Sequence, residues 1–186
     1  MELLIVLGLL VAAVLFFIVI YNRLVALREK RKNAFSDIDV QLKQRHDLIP
    51  NLVNVVKGYA DHEKEVLQNV TDARSRAMRQ STIDGKSSAE TGLGAAMMNL
   101  LAVAENYPEL KADQNFQRLQ AELSDIENKI AAARRFFNNA TNELNTAIQQ
   151  FPAVVVARMF GFQEQNFFEM TEEEKQMAST PPEAQF

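Results

Sequence analysis

Residues 116–151 read FQRLQAELSDIENKIAAARRFFNNATNELNTAIQQF, and large apolar side chains recur in this stretch at every seventh position. A second row begins three residues later, at Leu119, and turns from large side chains to Ala after Ile126. Because residues three and four apart share one face of an α-helix, this spacing predicts a long amphipathic helix with close packing in its second half. The first row consists of Phe116, Leu123, Ile130, Phe137, Leu144 and Phe151.

Residues 33–79 carry a second, less regular heptad and predict another long amphipathic helix. Its apolar stripe is wider than a two-stranded seam, so we expect this helix to contact at least two neighbours, as in a bundle. Pro50 lies inside the segment and frees the carbonyl of His46, which predicts a kink. The packing positions of this segment are Phe35, Leu42, Ile49, Leu52, Val56 and Tyr59.

The region between the two heptads contains signals for a turn and a helix start. Asp84 followed by Gly85 predicts a turn. Ser87 followed three places later by Glu90 predicts a capping box at the start of a short middle helix. Pro108 is expected in the first turn of the next helix, a position that proline favours.

The last part of the chain loses its helical pattern. Pro152 predicts a kink and Gly161 predicts a helix end. The expected organisation is a transmembrane anchor at residues 1–22, a helical bundle at residues 23–170 and a disordered tail at residues 171–186. The fold class is all-α, an antiparallel bundle of long, kinked, coiled-coil-like helices.

The middle helix is predicted to be much shorter than the two long ones, so a single chain leaves part of the apolar stripe uncovered. Either residues 151–168 fold back over this stripe, or other copies of the chain cover it. We therefore expect a homo-oligomer.

Residues 3–20 (LLIVLGLLVAAVLFFIVI) contain no charged or polar side chain. As a helix they span about 27 Å, close to the roughly 30 Å of a hydrocarbon core, and predict one transmembrane helix. A cleaved signal peptide would place its cations before the apolar run, where only Met1 and Glu2 stand. The cations after it predict a cytoplasmic body by the positive-inside rule, and recognition of anionic lipids is an open alternative. The flanking residues are Tyr21, Arg23, Arg28, Lys30, Arg31 and Lys32.

The composition excludes several classes of function. The chain has no Cys, and its net charge is −4 although five cations cluster beside the anchor. Disulfide and thiolate chemistry are therefore excluded, and the acidic body argues against nucleic acid as a partner. His46 and His62 are the only histidines, and neither follows a carboxylate by three residues, as di-iron bundles require. Without a nucleophile elbow or phosphate loop, we expect no catalytic residue, cofactor or metal.

Four charged residues lie in or beside the apolar rows: Arg45, Glu63, Glu127 and Arg134. A buried charge is costly unless it is paired, so these side chains predict an internal ion-pair network that fixes the helix register. The alternative is a polar docking site for a partner.

Several long motifs resemble the LemA family of bacteria. They include DIDVQLKQRHDLIPNLVNVVKGY at residues 37–59, YPELKADQNFQRLQAEL at residues 107–123, and the triplet FGF at residues 160–162. Phe137 stands where similar proteins often place Tyr before an Asn. The resemblance implies a membrane-anchored antiparallel helical bundle and implies little about activity.

Our leading hypothesis is a non-enzymatic scaffold or adaptor that self-associates at the bacterial inner (cytoplasmic) membrane. The alternative is a regulatory or accessory subunit that docks on a membrane protease or another envelope protein. In that case the four charged residues would contribute to a docking groove.

Overall fold

The computed structural model describes residues 1–60 and 62–168, and these residues form helices and connections without a strand. The all-α helical fold predicted from the sequence is confirmed. The predicted disordered tail, residues 171–186, lies outside the described residues. The helices are α1 (Glu2–Tyr59), α2 (Lys64–Met78), α3 (Ile83–Ala104), α4 (Pro108–Ala112), α5 (Gln114–Gln149) and α6 (Ala153–Met159).

Helix α1 includes both the apolar N-terminal run and the first part of the first heptad, and it continues through Pro50. The predicted single helix over residues 33–79 is wrong, because α1 ends at Tyr59 and α2 begins at Lys64. The heptad row has the charged Glu63 at this point. The domain boundary expected after residue 22 falls inside α1.

Helix α3 begins at Ile83, before the predicted capping box of Ser87 and Glu90. Thr82 is its N-cap, and the Thr82 hydroxyl accepts a hydrogen bond from the Gly85 amide at 3.2 Å. A Cβ at position 85 would lie 2.7 Å from that hydroxyl, so glycine leaves room for the cap. The predicted turn and capping box are therefore wrong, and Ser87 and Glu90 are buried side chains inside the helix. Thr82 supplies the same capping chemistry five residues before Ser87.

The kink predicted at Pro152 is wrong, because α5 ends at Gln149 and α6 begins as a separate helix at Ala153, whereas the signals at Pro108 and Gly161 are confirmed. Pro108 is in the first turn of α4. The Asp113 carboxylate then accepts a hydrogen bond from the Phe116 amide at 2.9 Å, which starts α5 as a separate helix. Gly161 has a φ of 71°, and the Phe162 amide donates to the Ala157 carbonyl at 2.9 Å across it. This geometry ends α6 in the manner of a Schellman motif.

The chain divides into two compact units. Among the described residues, unit 1 combines Met1–Val40 with Ala131–Phe167, and unit 2 contains Gln41–Ile130 and Phe168. Helices α1 and α5 therefore each supply residues to both units. The core of unit 1 includes Leu24, Leu144, Ala147, Ile148, Val156 and Ala157. The core of unit 2 includes Ile49, Leu52, Val56, Val70, Leu93, Leu100, Leu110, Phe116 and Leu123.

Most of the heptad positions are buried within the chain. Phe35 is half-buried, with its ring centroid 5.6 Å from that of Phe137. Tyr59 is 40% exposed and Phe151 is 83% exposed. The buried heptad positions are Leu42, Ile49, Leu52, Val56, Phe116, Leu123, Ile130, Phe137 and Leu144.

Candidate functional site

A cluster of charged side chains lies inside unit 2, and we call it the Glu90 cluster. It consists of Arg45 and His46 of α1, Glu90 of α3 and Glu127 of α5. Arg45 Nη1 donates to the two Glu127 carboxylate oxygens at 2.8 and 3.1 Å, and Arg45 Nη2 donates to Glu90 Oε2. His46 Nε2 lies within hydrogen-bond distance of the other Glu90 oxygen, at 2.8 Å. The cluster therefore joins three helices through direct side-chain bonds.

The cluster is buried at one end and open at the other. Arg45, His46 and Glu90 are 3%, 7% and 2% exposed, whereas the Glu127 side chain keeps 43% of its surface in contact with solvent. Both Glu90 oxygens have partners, which is the arrangement that makes a buried carboxylate tolerable.

Burial alone would raise the pKa of Glu90, but the His46 hydrogen bond and the Arg45 charge outweigh it and lower that pKa below its ordinary value. Burial likewise acts to lower the pKa of Arg45, and the carboxylates of Glu127 and Glu90 outweigh it, so the net shift is upward. Both groups are therefore charged at neutral pH, and the central contact is an ion pair.

A fourth helix is connected to the cluster through the backbone of His46. In a regular helix the His46 carbonyl would accept from the amide four residues later, but that residue is Pro50, which has no N–H. Arg74 of α2 supplies the missing donor, with its Nε 2.7 Å from the His46 carbonyl oxygen. The carbonyl freed by the proline thus becomes the point at which α2 is bonded to α1.

The structure brings together only part of the predicted polar set. Arg45 and Glu127 form an ion pair. Glu63 lies elsewhere in unit 2 and accepts from the Tyr107 hydroxyl at 3.4 Å. Arg134 is half-buried and belongs to unit 1, whereas the Glu90 cluster belongs to unit 2.

Sequence reasoning missed His46 and Glu90, which are the most informative members of the cluster. One signal could have identified Glu90. It precedes Leu93, Met97 and Leu100 at spacings of three and four residues, which places a carboxylate on the apolar face of α3. Such a position requires a buried partner.

The contacts of the Glu90 cluster are those of an ion-pair and hydrogen-bond network. Its carboxylates already accept from cations, and the cluster contains no hydroxyl or thiol nucleophile. Within residues 1–60 and 62–168 there is no group of three or more His, Cys, Asp and Glu side chains that could hold a metal ion. The arrangement can fix the register of the surrounding helices by charge-assisted hydrogen bonds.

The N-terminal part of unit 1 has the properties of a membrane anchor. Residues 1–19 are exposed throughout, and within the described chain α1 is the one helix long and apolar enough to cross a membrane. Beyond the apolar run, the Tyr21 ring centroid lies 4.7 Å from that of Phe160. Arg28 stacks over the ring of Phe162 at 5.3 Å.

The other cations of the flank are divided between internal contacts and solvent. Lys30 pairs with Glu143 at 2.7 Å. Arg31 donates to the Thr141 hydroxyl at 3.0 Å and to the Asn166 carbonyl at 2.9 Å. The flank therefore also takes part in the packing of unit 1, while the exposed cations Arg23 and Lys32 face solvent.

A shallow groove of about 360 Å³ lies between α1 and α5 within unit 2. Three of its side chains are acidic, and each pairs with a lysine or arginine on its own helix, at 3.0 Å for Asp47, 3.6 Å for Glu122 and 2.7 Å for Asp125. The groove is lined by Gln44, Asp47, Leu48, Glu122, Asp125, Ile126 and Lys129.

An all-α body, a structural charge cluster and an apolar N-terminal helix define the class of a membrane-associated helical protein. The chain belongs to the LemA family, whose model matches residues 34–186. The resemblance inferred from the sequence motifs is thereby confirmed.

The chain is similar to two magnetosome proteins and to a LemA protein. Magnetosome protein MamQ of Magnetospirillum gryphiswaldense is 26% identical over 198 residues, covering 92% of this chain and 71% of that protein. Magnetosome protein MamQ 1 of Paramagnetospirillum magneticum is 26% identical over 187 residues, covering 87% of this chain and 67% of that protein. Protein LemA of Metamycoplasma hominis is 26% identical over 159 residues, covering 83% and 71% respectively. None of these names states an enzymatic activity.

Proposed function

We propose that this protein is a non-enzymatic, membrane-anchored helical scaffold of the bacterial inner membrane, with its body in the cytoplasm. The observation that carries the proposal is the continuity of α1, which runs unbroken from the apolar N-terminus into the cores of both units. A single helix cannot fold back on itself, so movement of the anchor is passed directly to the packed side chains of the body. The continuity supports a role in which the anchor holds an ordered helical body at the membrane.

Self-association is the second part of the proposal. Because most of the heptad positions are buried within the chain, copies would meet through other side chains. The large apolar side chains that stay exposed on the body include Val40, Met78 and Met98, at 52%, 55% and 54%. These are the positions where we expect contacts between copies.

The mass of the full-length protein after extraction in mild detergent tests self-association. We expect an oligomer at micromolar concentration, and Val40→Glu should shift the protein toward the monomer. Ser36→Glu is the matched control, because Ser36 is exposed one turn earlier on the same helix and its substitution adds the same charge without removing an apolar side chain. A monomeric wild-type protein would exclude the scaffold.

The side of the membrane on which the body lies is inferred from the cations that follow the apolar run, and it is tested separately. Five cations closely follow the apolar run, so we infer that the body stays in the cytoplasm. Protease added to intact spheroplasts should leave the body undigested, whereas protease added after lysis should remove it. Digestion of the body in intact spheroplasts would mean that the body lies outside the cytoplasm.

The groove between α1 and α5 supports a second candidate, an accessory subunit that docks on another membrane protein. Its three carboxylates pair with exposed cations of their own helices, and a basic segment of a partner can displace such weak surface pairs. A photo-crosslinking residue at Gln44, which lines the groove, distinguishes the two candidates in cells. A product of twice the mass of the chain supports the scaffold, and a product with a different protein supports the accessory subunit.

A further inference from the structure

The short helix α6 packs against the part of α1 that directly follows the apolar run. Val156 and Ala157 of α6 are fully buried in the same cluster as Leu24 of α1. The Tyr21 ring lies 4.7 Å from Phe160 and 6.1 Å from Phe162, measured between ring centroids. These contacts lie within unit 1 and fix the position of α6 along α1.

That position is the expected level of the lipid headgroups. Ile20, the last residue of the apolar run, and Leu27 both pack at the margin of this cluster. The seven-residue step from Ile20 to Leu27 rises about 10 Å along the axis of α1. The cluster that holds α6 therefore lies within about 10 Å of the end of the apolar run. The headgroup region on each side of a bilayer is about 5 to 8 Å thick.

Part of the surface of α6 and of the residues beside it is apolar and exposed. Val155 and Met159 lie one turn apart in α6 and are 43% and 69% exposed, and Phe151 and Phe160, which flank the helix, are 83% and 58% exposed. Residues 144–163 contain no acidic side chain, and their one cation, Arg158, is exposed. An apolar face with aromatic rings and a cation is the composition of a segment that lies in a membrane interface.

We propose that residues 151–160 form a second membrane contact, in which Phe151, Val155, Met159 and Phe160 enter the interface of the leaflet from which α1 emerges. The occupant of this surface is the lipid bilayer, because the surface is continuous with the end of the membrane-spanning run. The inference rests on the proposal that α1 spans a bilayer. Anchoring at two points would fix the tilt and rotation of α1 as well as its depth.

The chain contains no tryptophan, so a single introduced tryptophan reports on a single position. Three variants of the full-length protein, Met159→Trp, Leu10→Trp and Val40→Trp, are reconstituted in phosphatidylcholine nanodiscs with and without brominated acyl chains. Leu10 lies in the middle of the apolar run, and Val40 lies about 30 Å beyond its end along α1. All three side chains are exposed, at 60%, 52% and 69% for Leu10, Val40 and Met159, so the substitutions disturb no core.

Brominated chains should quench the indole fluorescence of the Met159→Trp and Leu10→Trp variants at least about twofold and leave that of Val40→Trp unchanged. With one copy of the chain per nanodisc, so that no contact between copies shields position 40, iodide in the buffer should quench the Val40→Trp variant alone. If the Leu10→Trp variant is quenched by brominated lipid while Met159→Trp behaves like Val40→Trp, the second membrane contact is excluded and the anchor stands. If the Leu10→Trp variant is not quenched, the anchor itself is excluded.

A second copy of the chain is the competing occupant of this surface. In that case the indole of the Met159→Trp variant would escape both quenchers in nanodiscs with several copies and become accessible to iodide when each nanodisc holds one. This result would also overturn the proposal. Quenching of the same variant by brominated lipid at one copy per nanodisc supports it.

Discussion

His46 Nε2 lies 2.8 Å from Glu90 Oε1, which places an α1 imidazole against a fully buried α3 carboxylate. The same carboxylate accepts from Arg45, so two neighbouring residues of α1 hold one residue of α3. The arrangement fixes both the spacing and the axial position of the two helices, because a shift of one residue would separate the carboxylate from both partners.

Removal of the central carboxylate should strongly destabilise unit 2. Glu90→Ala leaves Arg45 buried with one remaining carboxylate, and we expect the free energy of unfolding to fall by about 3 to 5 kcal/mol. Urea unfolding of the detergent-solubilised protein, followed by far-UV circular dichroism, measures the change. Glu122→Ala is the control, since its side chain is 48% exposed and should cost less than about 0.5 kcal/mol. Equal losses in the two variants would contradict a structural role for the cluster.

The stabilisation by Glu90 should depend on pH. The pKa of Glu90 is lowered in the folded protein, so its contribution is complete above the ordinary carboxyl pKa of 4.5 and is lost as the pH falls below that value. The difference in unfolding free energy between the wild type and Glu90→Gln should therefore be constant near neutral pH and shrink below pH 4.5. A difference that grows on acidification would mean that Glu90 is protonated in the folded protein.

The bond from Arg74 to the His46 carbonyl should be coupled to Pro50. Arg74→Ala is expected to cost about 1.5 to 3 kcal/mol, the usual loss for a hydrogen bond from a charged group. In a Pro50→Ala background, the new amide at position 50 can donate to the same carbonyl, so Arg74→Ala should cost about 1 kcal/mol less.

A double-mutant cycle of these two substitutions, measured by urea unfolding, gives the coupling energy directly. A cost of Arg74→Ala that is the same in both backgrounds would mean that Arg74 acts through its charge or packing and that the freed carbonyl is irrelevant.

The start of α3 gives a fourth prediction. Thr82→Ala removes the cap from the Gly85 amide and should lower the free energy of unfolding by about 1 kcal/mol, whereas Thr82→Ser keeps the hydroxyl and should restore most of it. Ser81→Ala changes an exposed neighbour and should have no effect. A large effect at Ser81 with none at Thr82 would mean that Ser81, and not Thr82, caps the helix.

The sequence predicts the helical class and the anchor well because both depend on local patterns. The heptad row from Phe116 to Phe151 and the uncharged run at residues 3–20 are visible without any knowledge of the fold. The start of α3 is harder to predict because Thr82 and Ser87 have the same capping chemistry, and only the packing of the Ser87 side chain decides between them.

The Glu90 cluster could be predicted only in part, because its contacts join residues far apart in the chain. Arg45 and Glu127 are recognisable as charges in or beside apolar rows, but periodicity does not reveal which charge meets which. Glu63 illustrates the limit, since it interrupts the heptad in the same way as Arg45 and instead lies where α1 gives way to α2.

The bond between Arg74 and the His46 carbonyl also bears on how sequences of this kind can diverge. A proline at position 50 is tolerated because a donor from another helix reaches the carbonyl that it leaves open. Loss of Arg74 first would leave a partly buried carbonyl without its donor, whereas loss of Pro50 first would make the later loss of the arginine less costly. We therefore expect the two positions to change in a fixed order during evolution, with the proline lost before the arginine.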